Sequence, residues 1–106
     1  MASSREYLKF ILEQISHAED VSYRPMMGEY LIYCRGKSIG GVYDDRFLVK
    51  PTESAKQLMP GGRYEKPYDG AKDMLLVEAL DDKDYLKALL EGIADELPDK
   101  KRKSKP

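Results

Sequence analysis

A chain of 106 residues has room for one hydrophobic core and not for two. Apolar residues make up 42% and charged residues 35%, of both signs. No apolar run approaches the roughly 20 residues of a membrane-spanning helix. The net charge of −1 hides an asymmetry: five of the eighteen basic residues lie in 100–106 and none of the nineteen acids does, so residues 1–99 carry a net −6, which argues against a phosphate-binding surface on the folded part.

Met-Ala-Ser-Ser-Arg-Glu lacks the basic start and apolar stretch of a secretory signal. The single cysteine, Cys34, has no internal disulfide partner. A cytoplasmic protein with no membrane contact is expected.

Ser3-Ser4-Arg5-Glu6 has the form of a capping box, the Ser3 hydroxyl taking the Glu6 N–H and the Glu6 carboxylate returning to Ser3. Leu8, Ile11, Leu12 and Ile15 follow at i, i+3, i+4 and i+7, which predicts an amphipathic helix from about Ser4 to His17. Ala18-Glu19-Asp20 carries the chain to Val21-Ser22-Tyr23, and Pro25 biases Arg24 toward an extended conformation, so this helix ends before it.

Three short strands are predicted next: Tyr30 to Cys34, Ser38 to Tyr43 and Arg46 to Lys50, with turns at Arg35-Gly36-Lys37 and Asp44-Asp45. Connections this short allow only an antiparallel meander. Gly40-Gly41 inside a strand predicts a bulge or the close approach of another backbone.

Thr52 caps a short helix from Glu53 to Leu58 or Met59, stopped by Pro60-Gly61-Gly62. Tyr64 to Tyr68 is extended, and Pro67 demotes it to an edge or irregular segment. Asp69-Gly70 is a turn and Met74 to Ala79 a buried strand. Asp81 or Asp82 caps a last helix whose apolar face is Leu86, Leu89, Leu90, Ile93 and Leu97, ended by Pro98. The predicted order is α-β-β-β-α-β-β-α: a two-layer α+β domain over residues 1–98, an antiparallel sheet with the helices on one face. Residues 99–106 have no apolar anchor and are expected to be a disordered basic tail.

The residues that carry chemistry do not assemble into a catalytic, cofactor or metal site. His17 is the only histidine. Beside Ser16 and Asp20 it makes no triad, since adjacent helical residues point in different directions, and near a helix C-terminus it suits the helix dipole. One histidine and one cysteine fall short of a structural zinc set. Asp81-Asp82-Lys83-Asp84 lacks the spacing and glycine of a calcium loop, and Asp44-Asp45 sits where turn chemistry favours Asp. Gly36, Gly40 and Gly41 form no phosphate loop, as no helix follows them. Cys34 reads as a small packed or half-exposed thiol, with Arg35 directed to the opposite face of the strand. Eight tyrosines and no tryptophan fit sheet packing first and an interface second.

Arg24-Pro25-Met26-Met27-Gly28, followed by Tyr33, Gly36, Gly41-Val42-Tyr43 and Phe47-Leu48-Val49-Lys50, resembles the N-terminal domain of the TfoX/Sxy family, a bacterial family associated with the regulation of natural competence. Tyr64-Glu65-Lys66-Pro67-Tyr68 is similar to the segment that follows in that family. The likeness covers most of residues 4–97. It departs at Met27-Gly28-Glu29, where family members often carry Phe-Gly-Gly, and the chain matches a stand-alone N-terminal domain without the second, helical domain of full-length competence regulators. The resemblance implies a two-layer α+β fold and a regulatory setting, and it brings no catalytic residues.

Three functions follow as expectations. The first is a non-enzymatic, cytoplasmic interaction module binding a protein partner through Arg24, Met26, Met27, Gly28 and Tyr30. Its structural alternative gives Gly28 to a turn, Met26 or Met27 to the core and Arg24 to an acidic partner. The second is a nucleic-acid-associated regulator, in which Lys100, Lys101, Arg102, Lys103 and Lys105 make weak, salt-dependent phosphate contacts. The third is a small-ligand protein or enzyme with a pocket near Arg24, whose guanidinium would hold an anion. A homodimer is also foreseen, through a sheet edge at the third strand or the Tyr64 segment.

Overall fold

The computed structural model describes residues 4–97. In chain order the elements are α1 (Arg5–Gln14), β1 (Val21–Met26), β2 (Glu29–Cys34), β3 (Lys37–Val42), β4 (Phe47–Val49), α2 (Glu53–Leu58), β5 (Tyr64–Glu65), β6 (Met74–Leu76) and α3 (Lys83–Glu96). All six strands join one antiparallel sheet in the order β1-β2-β3-β4-β6-β5.

The α+β class is as predicted, and two of its details are corrected. A strand not foreseen, β1, precedes the meander, so the order is α-β-β-β-β-α-β-β-α. Its residues, Val-Ser-Tyr-Arg-Pro-Met, show no alternation of apolar and polar, because four of the six are exposed at the rim of the sheet. The helices, moreover, are not all on one face. The long α3 rests on β2 and β3, whereas α2 packs chiefly against α3. With six residues and Ala55 as its one buried side chain, α2 is too small to cover a sheet. The segment predicted as an edge, Arg46 to Lys50, contains β4, which lies between β3 and β6. The rims are β1 and β5.

Three two-residue turns fold β1 to β4. Met27-Gly28, Arg35-Gly36 and Asp44-Asp45 each have positive φ at both positions: 52° and 86°, 55° and 78°, 54° and 55°. These are the signs of a type I′ turn, whose twist matches that of the flanking strands. Gly40-Gly41 meets the second of its two predicted roles, a close approach, and the bulge lies just before it. The β2–β3 register slips between Ile32 and Tyr33, a bulge that leaves Ile39 without an opposite number. A Cβ on Gly40 would stand 2.2 Å from the Leu48 carbonyl oxygen, and one on Gly41 2.7 Å from the Tyr43 ring.

The core joins Leu8 and Ile11 of α1 and Ile15 just after it to Ile32, Val42, Phe47, Val49 and Leu75 of the sheet and Leu86, Leu89, Leu90 and Ile93 of α3. Each such side chain contributes about 1.5–3 kcal/mol against exposure, before entropy. α1 ends at Gln14, short of His17, with Ile15 as its C-cap. Its N-cap is Ser4, whose hydroxyl accepts the Tyr7 N–H at 3.1 Å. The Ser4 N–H goes to Asp45 Oδ1 at 2.9 Å, so the capping is completed from the β3–β4 turn. The Ser3 half of the predicted capping box lies outside the described residues. Among the described residues no helix is long and apolar enough to cross a membrane.

Candidate interaction surface

The five residues expected to act together all fall in the β1–β2 hairpin. Its register sets Arg24 opposite Leu31, Pro25 opposite Tyr30 and Met26 opposite Glu29. Side chains alternate along a strand, so Arg24 and Met26 share one face while Pro25 and Tyr30 share the other. Tyr30 packs against the core and meets the Tyr23 ring edge to face at 6.0 Å. Met27-Gly28 is the tip. One hairpin therefore carries all five, but they do not form one continuous patch.

The structural alternatives resolve differently for each residue. Gly28 does serve a turn. Met27 does not fill the core: it is 97% exposed. Arg24 is exposed, and among the described residues its guanidinium has neither a hydrogen bond nor an ion pair. Glu29, the first residue after the turn, accepts the Asp44 N–H at 3.0 Å, which holds the β1–β2 tip beside the β3–β4 turn and the start of α1.

The other end of the meander is fixed by an ion cluster that sequence reasoning missed. Arg35, in the β2–β3 turn, donates to Glu19 at 3.0 Å and to Asp95, and lies 3.6 Å from Glu91. Glu91 also accepts from Lys87 and from the Glu19 N–H at 2.9 Å, and these contacts, Lys87 foremost, hold its carboxyl below the usual range. Lys37 reaches the Ala94 carbonyl at 3.0 Å. Arg46 has a similar role beside β4, donating to Glu65 at 2.7 Å and to the carbonyls of Lys66 and Pro67. No local pattern announces such partners, which lie 16 to 60 residues from Arg35.

The remaining sequence candidates hold structural positions. The Cys34 thiol is fully buried, donates to the Glu19 carbonyl at 3.2 Å, and is pushed up by that burial, as a packed thiol should be. His17 lies beyond the end of α1, with Nδ1 3.5 Å from an exposed Asp84 oxygen. Among the described residues no group of three or more His, Cys, Asp or Glu side chains is placed to hold a metal ion. A concavity of about 460 Å³ opens further along the Arg24 face, lined by Leu31, Tyr43, Lys50, Tyr68, Lys72 and Met74, and Arg24 is not among its walls. Its tyrosine rings stand 6.1 Å apart, and burial pushes the Tyr43 hydroxyl up. Lys100, Lys101, Arg102, Lys103 and Lys105 lie outside the described residues.

No protein-family model matches the chain. No solved structure matches it either. The chain is similar to an "Uncharacterized 12.7 kDa protein in trpE 5'region" of Spirochaeta aurantia, 34% identical over 73 residues. That match covers 69% of this chain and 64% of the length of the relative.

Proposed function

We propose that this chain is a non-enzymatic, cytoplasmic regulatory module that binds another protein through the β1–β2 hairpin, in the kind of setting suggested by its resemblance to the N-terminal domain of TfoX/Sxy regulators. Met27 carries this reading. It stands 97% exposed with φ 52°, at a turn position where Asn, Asp or Gly is favoured. A side chain with a Cβ costs on the order of 1–2 kcal/mol in that conformation. Met27 recovers none of this by packing in the free chain, whereas contact with a partner would offset it. A thioether on a flexible stem suits such a contact because it adapts to an irregular surface. Arg24 and Met26 extend the surface on one side of the tip, and Tyr30 seats the hairpin on the core from the other.

The test is capture of a partner by immobilised wild type, Met27→Asn and Met27→Leu. Asn suits the turn and removes the apolar tip, whereas Leu keeps an apolar tip in the same place. Binding kept by Met27→Leu and lost by Met27→Asn supports the reading. Equal binding by all three removes the tip from the interface.

A further inference from the structure

Among the described residues, the outer rim of β1 has an ordered set of backbone groups without a partner. The Arg35 N–H donates to the Asp20 carbonyl at 3.0 Å, which fixes the phase of the β1–β2 ladder. Asp20, Ser22 and Arg24 turn their backbone groups inward toward β2, and Val21, Tyr23 and Pro25 turn theirs outward. Pro25 has no N–H to offer, so the open rim consists of the complete donor–acceptor pairs of Val21 and Tyr23 and the Pro25 carbonyl. β1 keeps a continuous register with β2 over all six residues, without a bulge, and of the features that usually protect such a rim it carries Arg24 and, toward its end, Pro25.

We propose that two copies of this chain pair antiparallel along β1, about a two-fold axis at Ser22. That register sets Val21 opposite Tyr23 of the second copy, and Tyr23 opposite its Val21. Every outward N–H and C=O of these residues is then satisfied. Pro25 falls opposite Glu19 of the second copy, whose N–H is already given to Glu91, so the Pro25 carbonyl stays at the exposed end of the rim, outside the paired residues. An axis at Tyr23 would instead set Val21 against Pro25 and leave a carbonyl without a donor.

Two further features agree with this register, and neither was used to derive it. It sets Arg24 near Asp20 of the second copy, the residue that precedes β1 with φ 55°, twice by symmetry. Both side chains are exposed, and neither has a hydrogen bond or ion pair among the described residues. Opposite charges facing across antiparallel strands are favourable and select the register. It also brings Tyr23, 44% exposed, beside a concavity of the second copy walled by Leu12, Ser16, Ala18, Val21 and that copy's own Tyr23. The result is one continuous sheet with a six-stranded half from each copy. The pairing shares Arg24 with the surface proposed around Met27 but does not use the tip, so Tyr23→Pro tests it apart from that contact.

Sedimentation of the purified chain over a concentration series tests the proposal. Wild type is expected to show a concentration-dependent monomer–dimer equilibrium. Arg24→Asp and Asp20→Arg should each weaken it about tenfold or more, and an equimolar mixture of the two should recover a heterodimer, because each Asp then faces an Arg. Tyr23→Pro removes one outward donor without touching the β1–β2 ladder and should abolish the dimer. Circular dichroism confirms that each variant is folded. Wild type that stays monomeric at millimolar concentration overturns the proposal, as does a mixture no better than its components or a Tyr23→Pro variant that still dimerises.

Discussion

Glu96, the last residue of α3, closes the start of α2: its carboxylate accepts the backbone N–H groups of Glu53 and Ser54 at 2.9 and 2.8 Å, and the Ser54 hydroxyl as well. Thr52 supplies the usual cap by accepting the Ala55 N–H at 3.3 Å, so three of the N–H groups at this helix start are satisfied. A six-residue helix has little stability of its own, and this contact from a distant element holds it in place. Glu96→Ala should lower the thermal unfolding midpoint by a few degrees and expose the amides of 53 and 54 to hydrogen exchange. Glu96→Gln, which keeps an acceptor oxygen, should fall between. Unchanged exchange in Glu96→Ala would show that the carboxylate does not hold α2.

The same contacts set a pH dependence. The Ser54 hydroxyl and the two backbone donors hold Glu96 below its ordinary 4.5, and Lys87, the Glu19 N–H and Arg35 do the same for Glu91. A carboxyl lowered by folding stabilises the native state fully above its ordinary value, and that contribution is lost as pH falls through 4.5 toward the folded value. Burial shifts Cys34 and Tyr43 upward from 9.0 and 10.0, so their contribution is present below those values and lost as pH rises past them. The unfolding midpoint should therefore be flat around neutrality and decline on both sides. Thermal scans of wild type and Glu96→Gln locate the acid arm, which should be shallower in the variant.

Gly40 and Gly36 should respond very differently to one methyl group. Gly40→Ala places a Cβ 2.2 Å from the Leu48 carbonyl oxygen and 2.7 Å from the Val49 Cα, both on a buried interior strand, so β3 and β4 would have to separate. A loss of more than about 3 kcal/mol is expected, enough to reduce soluble yield. Gly36→Ala meets nothing within 4 Å and carries only the strain of φ 78°, about 1–2 kcal/mol. Chemical denaturation of both variants checks the ranking, and a tolerated Gly40→Ala would contradict this strand spacing.

Cys34 should behave as a silent thiol. It is fully buried and donates to the Glu19 carbonyl, and the raised pKa suppresses the thiolate that reagents attack. A thiol reagent should label the native chain only at the rate at which the structure opens, and promptly in denaturant. Rapid native labelling would place the thiol at the surface instead.

What was legible in the sequence follows the range of the interactions. The apolar faces of α1 and α3 and the three inner meander strands depend on neighbours a few residues away, and periodicity exposed them. β1 escaped because a rim strand with Ser22, Tyr23, Arg24 and Pro25 exposed has no buried face to repeat, and because Met27-Gly28 lacks the Asn or Asp that signals a hairpin turn. The Ser4 cap was misplaced by one residue since its completing partner, Asp45, lies 41 positions away. Of the candidate surface, the chain disclosed which residues to examine. It did not disclose that strand alternation would turn Tyr30 inward while Arg24 and Met27 remain exposed.

The three type I′ turns also bear on the order of assembly. From Val21 to Val49 each strand pairs with the one just made, across two-residue or four-residue connections, so the loop entropy of each closure is small. α3 is different: its links to Arg35 and Lys37 span about 60 residues. The meander can thus form hairpin by hairpin while its apolar face still waits for the last helix, much as a hinged case is built before its lid. In pulse-labelled refolding the amides of β2 and β3 should gain protection before those of α3, and simultaneous protection would mean that sheet and helix form together. During that interval the unfinished molecule, not the finished one, presents the greasy surface on which neighbouring chains could clump.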